Sequence, residues 1–289
     1  MKSDKMKSVF VALLALMLLT ILASILITKI DTIYHSDIPY SVLMTSQAAI
    51  SIGTFLVASM VAVFVAERKV CGADLNWSVD IIYTLMAMGV IFISQALVGW
   101  ASFANWQLLS LPQLDWLKNY DFTNYSLTAR MLSTDTPMHT IIAVVVVAIL
   151  PAICEEFFFR GVILRGLLSS IGNKTIAICS SALFFSMLHM DVNGFLPRIV
   201  LGIILGILYV QSKGIFQPIM AHAFNNGLVI ISCALSAEPI EKILSAELTN
   251  PGPLNPILSV ILIIWLLQFM NSYQKMKIII DRLLRKNNK

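Results

Sequence analysis

Long apolar segments alternate with short polar ones along almost the whole chain. Each apolar segment is close to the ~20 residues that an α-helix needs to cross the hydrocarbon core of a bilayer. Separate segments of this length satisfy their backbone hydrogen bonds as helices, so they favour a helical bundle over a barrel. We therefore predict an all-α, polytopic membrane protein with eight transmembrane helices, at about 9–27, 44–66, 81–103, 138 to at least 160, 175–189, 196–211, 217–235 and 255–273.

Composition supports this class. Of the 289 residues, 58% are hydrophobic and 12% are charged, and the mean hydropathy is +0.83, whereas soluble domains carry about 25% charged residues. The net charge of +4 does not indicate nucleic acid as a partner, because in a membrane protein the position of each charge matters more than the sum. The expected surroundings are the lipid bilayer of a multi-pass protein in a bacterial cytoplasmic membrane.

Basic residues concentrate at both ends of the chain. Lysines lie before the first apolar segment, and the tail Lys275–Lys289 alternates basic with apolar residues, as an amphipathic helix on anionic lipid does. Since lysine and arginine concentrate in cytoplasmic loops, we predict that both termini are cytoplasmic. We divide the chain into residues 1–137 (three helices and an outer loop), 138–235 (a catalytic core) and 236–289 (the last helix and the basic tail).

Three charged residues interrupt the fourth apolar segment. They are Glu155, Glu156 and Arg160. A charge at the bilayer centre costs about 2.5–3.5 kcal/mol on insertion scales, so such residues are usually kept for a function. Glu156 and Arg160 are four apart and can pair on one helix face, whereas Glu155 points about 100° away and is the candidate for chemistry. A structural ion-pair network that holds helices together is an equal alternative from this segment alone.

Two later helices each place a pair of groups one turn apart inside apolar sequence. Phe185 and His189 share one face, and His222 and Asn226 share another. A carboxylate hydrogen-bonded to an imidazole can take a proton from water, which is a role that fits Glu155 with His189. A histidine and an asparagine one turn apart can donate to a developing oxyanion. The set predicts peptide-bond hydrolysis by activated water.

Other functions and protease chemistries make different demands on the sequence. The chain contains no H-E-x-x-H zinc motif, no Gly-x-Gly-Asp and no Gly-x-Ser-x-Gly. A non-enzymatic immunity or scaffolding protein could use the same polar residues structurally. An ion or proton carrier could use buried acids and histidines, although the chain lacks the internal repeats common in transporters.

The three motifs, in this order on successive helices, resemble the CPBP family, which groups CAAX prenyl endopeptidases with bacteriocin-processing and Abi-type membrane proteins. The resemblance covers about residues 138–235 and implies an intramembrane endopeptidase. It implies that Glu155, His189, His222 and Asn226 are catalytic, and that Glu156, Arg160 and Phe185 support them. The implied partner is a peptide or protein substrate at the membrane, which in this family includes a prenylated C-terminus. The lysine-flanked short loops are typical of a bacterial protein and favour leader peptides, peptide pheromones or bacteriocin-related substrates instead.

The resemblance leaves the cofactor open. Glu155, His189 and His222 form a set that could hold zinc, and a metal-free mechanism is slightly favoured. A second question concerns depth, because a fourth helix ending near Arg160 would separate Glu155 from His189 across the membrane. The site converges if this helix runs on towards Leu168 with Glu155 near mid-membrane, or if the fifth helix is short and tilted; we predict the former.

Overall fold

The computed structural model of the protein describes residues 2–34, 38–67, 75–120, 125–132, 135–235 and 254–287. Within these ranges all regular structure is helical and no strand occurs. The helices are α1 (Lys2–Tyr34), α2 (Tyr40–Ala66), α3 (Ile81–Leu109), α4 (Tyr125–Met131), α5 (Pro137–Ile171), α6 (Lys174–Met187), α7 (Phe195–Ser212), α8 (Phe216–Leu235) and α9 (Leu254–Asn287), with a 3₁₀ segment at Pro112–Tyr120.

Seven helices in the described part of the chain are long and apolar enough to cross a membrane: α1, α2, α3, α5, α7, α8 and α9. All eight predicted segments fall on helices, but the fifth one is the 14-residue α6. At ~1.5 Å per residue, α6 is about 21 Å long, which is less than the ~30 Å hydrocarbon core. The polytopic all-α prediction is confirmed, with one helix too short to cross the core alone.

Helix α5 carries the charged motif and runs without a break over 35 residues. The prediction that it continues past Arg160 is therefore confirmed. Two of its stretches are π-helical, Val144–Ile149 and Phe157–Leu164. Pro151 follows the first stretch and lacks the N–H that would complete the α-helical ladder there. Gly172, at φ +76°, ends the helix in a left-handed conformation that glycine adopts without strain.

Glycines let α7 pack closely along α6. A Cβ atom at Gly202 would lie 2.9 Å from Ala182 Cβ, and one at Gly206 would lie 3.0 Å from Ile178 Cγ2. The two glycines are four apart, so they form one small-residue face. Around this pair, α8 packs against α3 and α5, α3 also contacts α7 and α9, and α1 contacts α2 and the end of α5.

The basic tail differs from the prediction. It is the continuation of the last transmembrane helix, because α9 runs unbroken from Leu254 to Asn287. Tyr273 and Lys277 on α9 hydrogen-bond to Asp80, which also caps the N-terminus of α3. Residues 68–74 and 236–253 lie outside the described residues, and the orientation of both termini stays a prediction.

Candidate active site

Glu155 and His189 lie at matching depths because they are nearly the same number of residues from the turn between α5 and α6. These helices are consecutive, and α6 begins at Lys174, just after α5 ends at Ile171. At ~1.5 Å per residue, Glu155 lies about 24 Å before the end of α5, and His189 lies about 22 Å beyond the start of α6. The nearly equal numbers of residues on the two sides of the turn therefore place the two side chains at similar depths.

Glu155 faces both predicted histidines. Its Oε2 atom lies 3.6 Å from His189 Nε2 and 3.9 Å from His222 Nε2. The Glu155 side chain is 10% exposed, and those of His189 and His222 are 22% and 4% exposed. Oε2 is buried and has no hydrogen-bond partner among the described residues. Three helices thus present a carboxylate and two imidazoles to one point, which opens to the surroundings on the His189 side.

Phe185 fixes the orientation of His189. The Nδ1 atom of His189 lies 2.6 Å from the Phe185 carbonyl oxygen, which can only accept, so Nδ1 carries the hydrogen and Nε2 faces Glu155. The Phe185 ring packs edge-on against the His189 imidazole, with centroids 4.8 Å apart. It also packs against the His222 imidazole at 5.8 Å. Phe185 therefore separates the two histidines and orients both.

Glu156 links the Arg160 guanidinium to His222. Its Oε1 atom lies 2.6 Å from Arg160 Nη1 and 2.9 Å from His222 Nδ1. The pair with Arg160 follows from the spacing, but the contact with His222 was missed because it joins different helices. Arg160 also donates to the Gly202 carbonyl oxygen at 3.1 Å and lies over the Phe185 ring. The Glu156 and Arg160 side chains are 0% and 1% exposed, so this network is fully buried.

Asn226 lies one helical turn after His222 but contacts a different part of α5. Its Nδ2 atom is 3.5 Å from the carbonyl oxygen of Ala148, in the first π-helical stretch. Of the predicted site residues, Glu155, Glu156, Arg160, Phe185, His189 and His222 are joined by direct contacts with one another. Asn226 borders this group and extends it along the α5–α8 interface.

Asn105 on α3 holds the turn that follows His189, and sequence reasoning missed it. Its Nδ2 atom donates to the carbonyls of Val192 and Asn193, both at 3.0 Å, and its Oδ1 accepts from Leu196 N–H. The side chain is buried, so these bonds are shielded from water. A signal was available, because asparagine inside an apolar helix usually bonds to a neighbouring element.

Gln95 and Asn225 are two further polar residues that the sequence interpretation left out. Gln95 on α3 donates to Asn225 Oδ1 at 3.2 Å, and Asn225 donates to Asn226 Oδ1 at 3.4 Å. Asn225 escaped notice because it is three residues from His222 and completes no motif. Gln95 escaped notice because it lies in the third apolar segment, outside the predicted catalytic core at 138–235.

The arrangement of the possible metal ligands bears on the zinc alternative. Among the residues that the structure describes, no group of three or more His, Cys, Asp or Glu side chains is arranged to hold a metal ion. Glu155, His189 and His222 supply suitable donor types, and the bond from His222 Nδ1 to Glu156 leaves Nε2 facing Glu155, as in histidines that ligate a metal through one ring nitrogen and bond a carboxylate through the other. These three side chains would hold a metal if one binds, and the reaction proposed for the protein uses none.

Comparison with known proteins matches the same region. Residues 137–228 match the family model described as Type II CAAX prenyl endopeptidase Rce1-like. The membrane-embedded CAAX protease MroQ of Staphylococcus aureus is 33% identical over 101 residues, which are 33% of this chain and 41% of that protein. The putative membrane peptidase YdiL of Bacillus subtilis is 31% identical over 107 residues, 37% and 42% of the two chains.

The matched part is less than half the length of either relative. No solved structure matches the chain. The match nevertheless covers the three helices that carry the acid, the two histidines and the asparagine, and the relatives are bacterial membrane proteins. Residues 137–228 of this multi-pass protein of the cell membrane are therefore similar to CAAX-protease-like membrane proteins.

Proposed function

We propose that this protein is an intramembrane endopeptidase that hydrolyses a membrane-associated peptide or protein with an activated water molecule. The observation that carries the proposal is the unpartnered Glu155 Oε2, which faces the Nε2 atoms of His189 and His222 at 3.6 and 3.9 Å. Both distances exceed a good direct hydrogen bond, and a water molecule seated beside the three atoms reaches all of them. The family match supports the same reaction class.

In the proposed reaction, Glu155 accepts a proton from water while the water oxygen forms a bond to the substrate carbonyl carbon. The proton then passes to the amide nitrogen, either directly from Glu155 or through His189 Nε2, and the C–N bond breaks. No covalent enzyme intermediate forms. His189 can accept a proton at Nε2 because its Nδ1–H is held by the Phe185 carbonyl.

The tetrahedral intermediate carries a negative oxygen that needs donors. In the proposal these are Asn226 Nδ2 and His222 Nε2, one turn apart on α8. His222 donates from Nε2 only when it carries two protons, because Nδ1–H is directed to Glu156. The supporting role of Glu156 is to orient this imidazole, and that of Arg160 is to neutralise the buried Glu156 carboxylate.

The substrate is a peptide or protein that reaches the site from the bilayer or its surface. This agrees with the description of MroQ as a membrane-embedded CAAX protease. The direct test compares peptides released by cells that carry the wild-type protein with those from Glu155→Ala and Glu155→Gln cells. A set of peptides released only by wild type is the expected result, with equal amounts of folded protein in all three.

The non-enzymatic alternative predicts a different pattern. If the polar residues only hold helices together, Glu155→Ala lowers the stability of the protein and the peptide pool does not change. An unchanged peptide pool in cells with folded Glu155→Gln protein would overturn the proposed function.

A further inference from the structure

A chain of three side-chain amides connects α3 to α5 across α8. Gln95 Nε2 lies 3.0 Å from the carbonyl oxygen of Ile91 and 3.2 Å from Asn225 Oδ1. Asn225 Nδ2 lies 3.4 Å from Asn226 Oδ1, and Asn226 Nδ2 lies 3.5 Å from the carbonyl oxygen of Ala148. A backbone carbonyl thus stands at each end of the chain.

The two carbonyls fix the direction of every amide between them. A backbone carbonyl only accepts hydrogen bonds, so the atom of Gln95 next to Ile91 must be the nitrogen. Its second hydrogen then requires an oxygen on Asn225, which turns the Asn225 nitrogen towards Asn226. The Asn226 oxygen is therefore occupied, and its nitrogen must face Ala148 on α5. A reversed amide at any point would set two donors or two acceptors against each other.

We infer that Asn225 and Gln95 are positioning residues that hold the Asn226 amide with its nitrogen towards α5, from where it donates to the oxyanion of the proposed reaction. The inference rests on the proposed function, because it concerns the oxyanion donor of that reaction. Asn226 lies about 6 Å along α8 from His222. Its contact with Ala148 is long, so an oxyanion with a full charge competes for these N–H groups readily.

A purely structural role for the same bonds makes a different prediction. Hydrogen bonds between membrane helices stabilise their packing modestly, so in this alternative Gln95 and Asn225 only hold α3 against α8. In that case the loss of Gln95 or Asn225 lowers the stability of the protein, and any loss of kcat is the same whether or not Asn226 is present. If the two residues position Asn226, their substitution lowers kcat only while the Asn226 amide is present.

The experiment is a double-mutant cycle in proteoliposomes. The substrate is a synthetic copy of the precursor of a peptide whose release depends on Glu155, so failure to find such a peptide overturns the proposed function and is distinct from failure here. We expect Asn225→Leu to lower kcat about tenfold with little change in KM, a part of the 10²–10³-fold effect of losing an oxyanion donor. In the Asn226→Ala protein, Asn225→Leu should cause no further loss.

Gln95→Met provides the second variant, because it breaks the far end of the chain and leaves α8 unchanged. It should lower kcat by a smaller factor and show the same dependence on Asn226. Equal fold-losses of kcat in the presence and absence of the Asn226 amide, for both variants, would overturn the inference. So would full wild-type activity in both.

Discussion

The buried pair of Glu156 and Arg160 offers a test that separates stability from catalysis. Glu156→Gln keeps the size of the side chain and an oxygen that accepts hydrogen bonds, but it removes the charge that neutralises Arg160. Arg160 is 1% exposed and cannot recover solvation by moving to water. Its remaining partners, the Gly202 carbonyl and the Phe185 ring, are present before and after the change.

The expected loss in the free energy of unfolding is large. Removing one partner of a buried ion pair costs about 3–5 kcal/mol, because the other charge stays buried and unpaired. The retained oxygen of the glutamine favours the lower end of this range. A double variant, Glu156→Gln with Arg160→Met, removes both charges and should recover much of the loss, since neutral replacement of a buried pair is often nearly neutral or stabilising.

Cleavage should not recover in the double variant, because His222 loses the carboxylate that orients it at 2.9 Å. The matched control is Glu155→Gln on the neighbouring position. Glu155 Oε2 has no hydrogen-bond partner among the described residues, so its neutralisation should lower the unfolding free energy by clearly less than the neutralisation of Glu156 does, and should abolish cleavage.

The assay is reversible unfolding of the purified protein in mixed micelles, with peptide release measured on the same preparations. The reasoning is refuted if Glu156→Gln costs less than about 1 kcal/mol, or if the double variant is no more stable than the single one. It is also refuted if the effects of Glu155→Gln and Glu156→Gln on stability are equal.

Two further predictions concern packing and pH. Gly202→Ala should destabilise the protein by about 1–3 kcal/mol, because the new Cβ would lie 3.0 Å from Ala182 Cα; Gly99→Ala, with nothing within 4 Å of the new Cβ, is the control in thermal unfolding and should be neutral or stabilising. Partial burial by itself would raise the pKa of the Asp80 carboxyl, but its bonds to Lys277 and other donors hold the pKa below the ordinary 3.8. The stability that Asp80 contributes is therefore present above pH 3.8 and lost as pH falls through the lower folded pKa. Thermal midpoints should show Asp80→Asn less stable than wild type at pH 7 by under about 1 kcal/mol, and the gap should close in strong acid; a constant gap would contradict the assignment.

The sequence determined the membrane class and the positions of the helices. The thickness of the hydrocarbon core sets the length of an apolar segment, so the segments could be located without knowledge of their neighbours. The contact between Glu156 and Arg160 was also determined locally, because residues four apart on any helix share a face. The same rule predicted from spacing alone that Phe185 and His189 lie on one face.

Contacts between helices depended on the tertiary structure. Three sets of hydrogen bonds join parts of the chain that are distant in sequence. They are the bond between Glu156 and His222, the bonds from Asn105 to the turn after His189, and the amide chain from Gln95 to Asn226. A periodic pattern gives the face on which a residue lies, but not the rotation of one helix against another or the depth at which it ends.

Those quantities were decided by packing in three dimensions. Gly202 let α7 approach α6 closely, and the packing of α5 against α6 and α8 brought His189 and His222 within 3.6 and 3.9 Å of Glu155. The sequence thus named the reactive side chains because each lies in a local motif. Their convergence was decided only by the assembled bundle, because a shift of one helical turn, about 5.4 Å, would separate them.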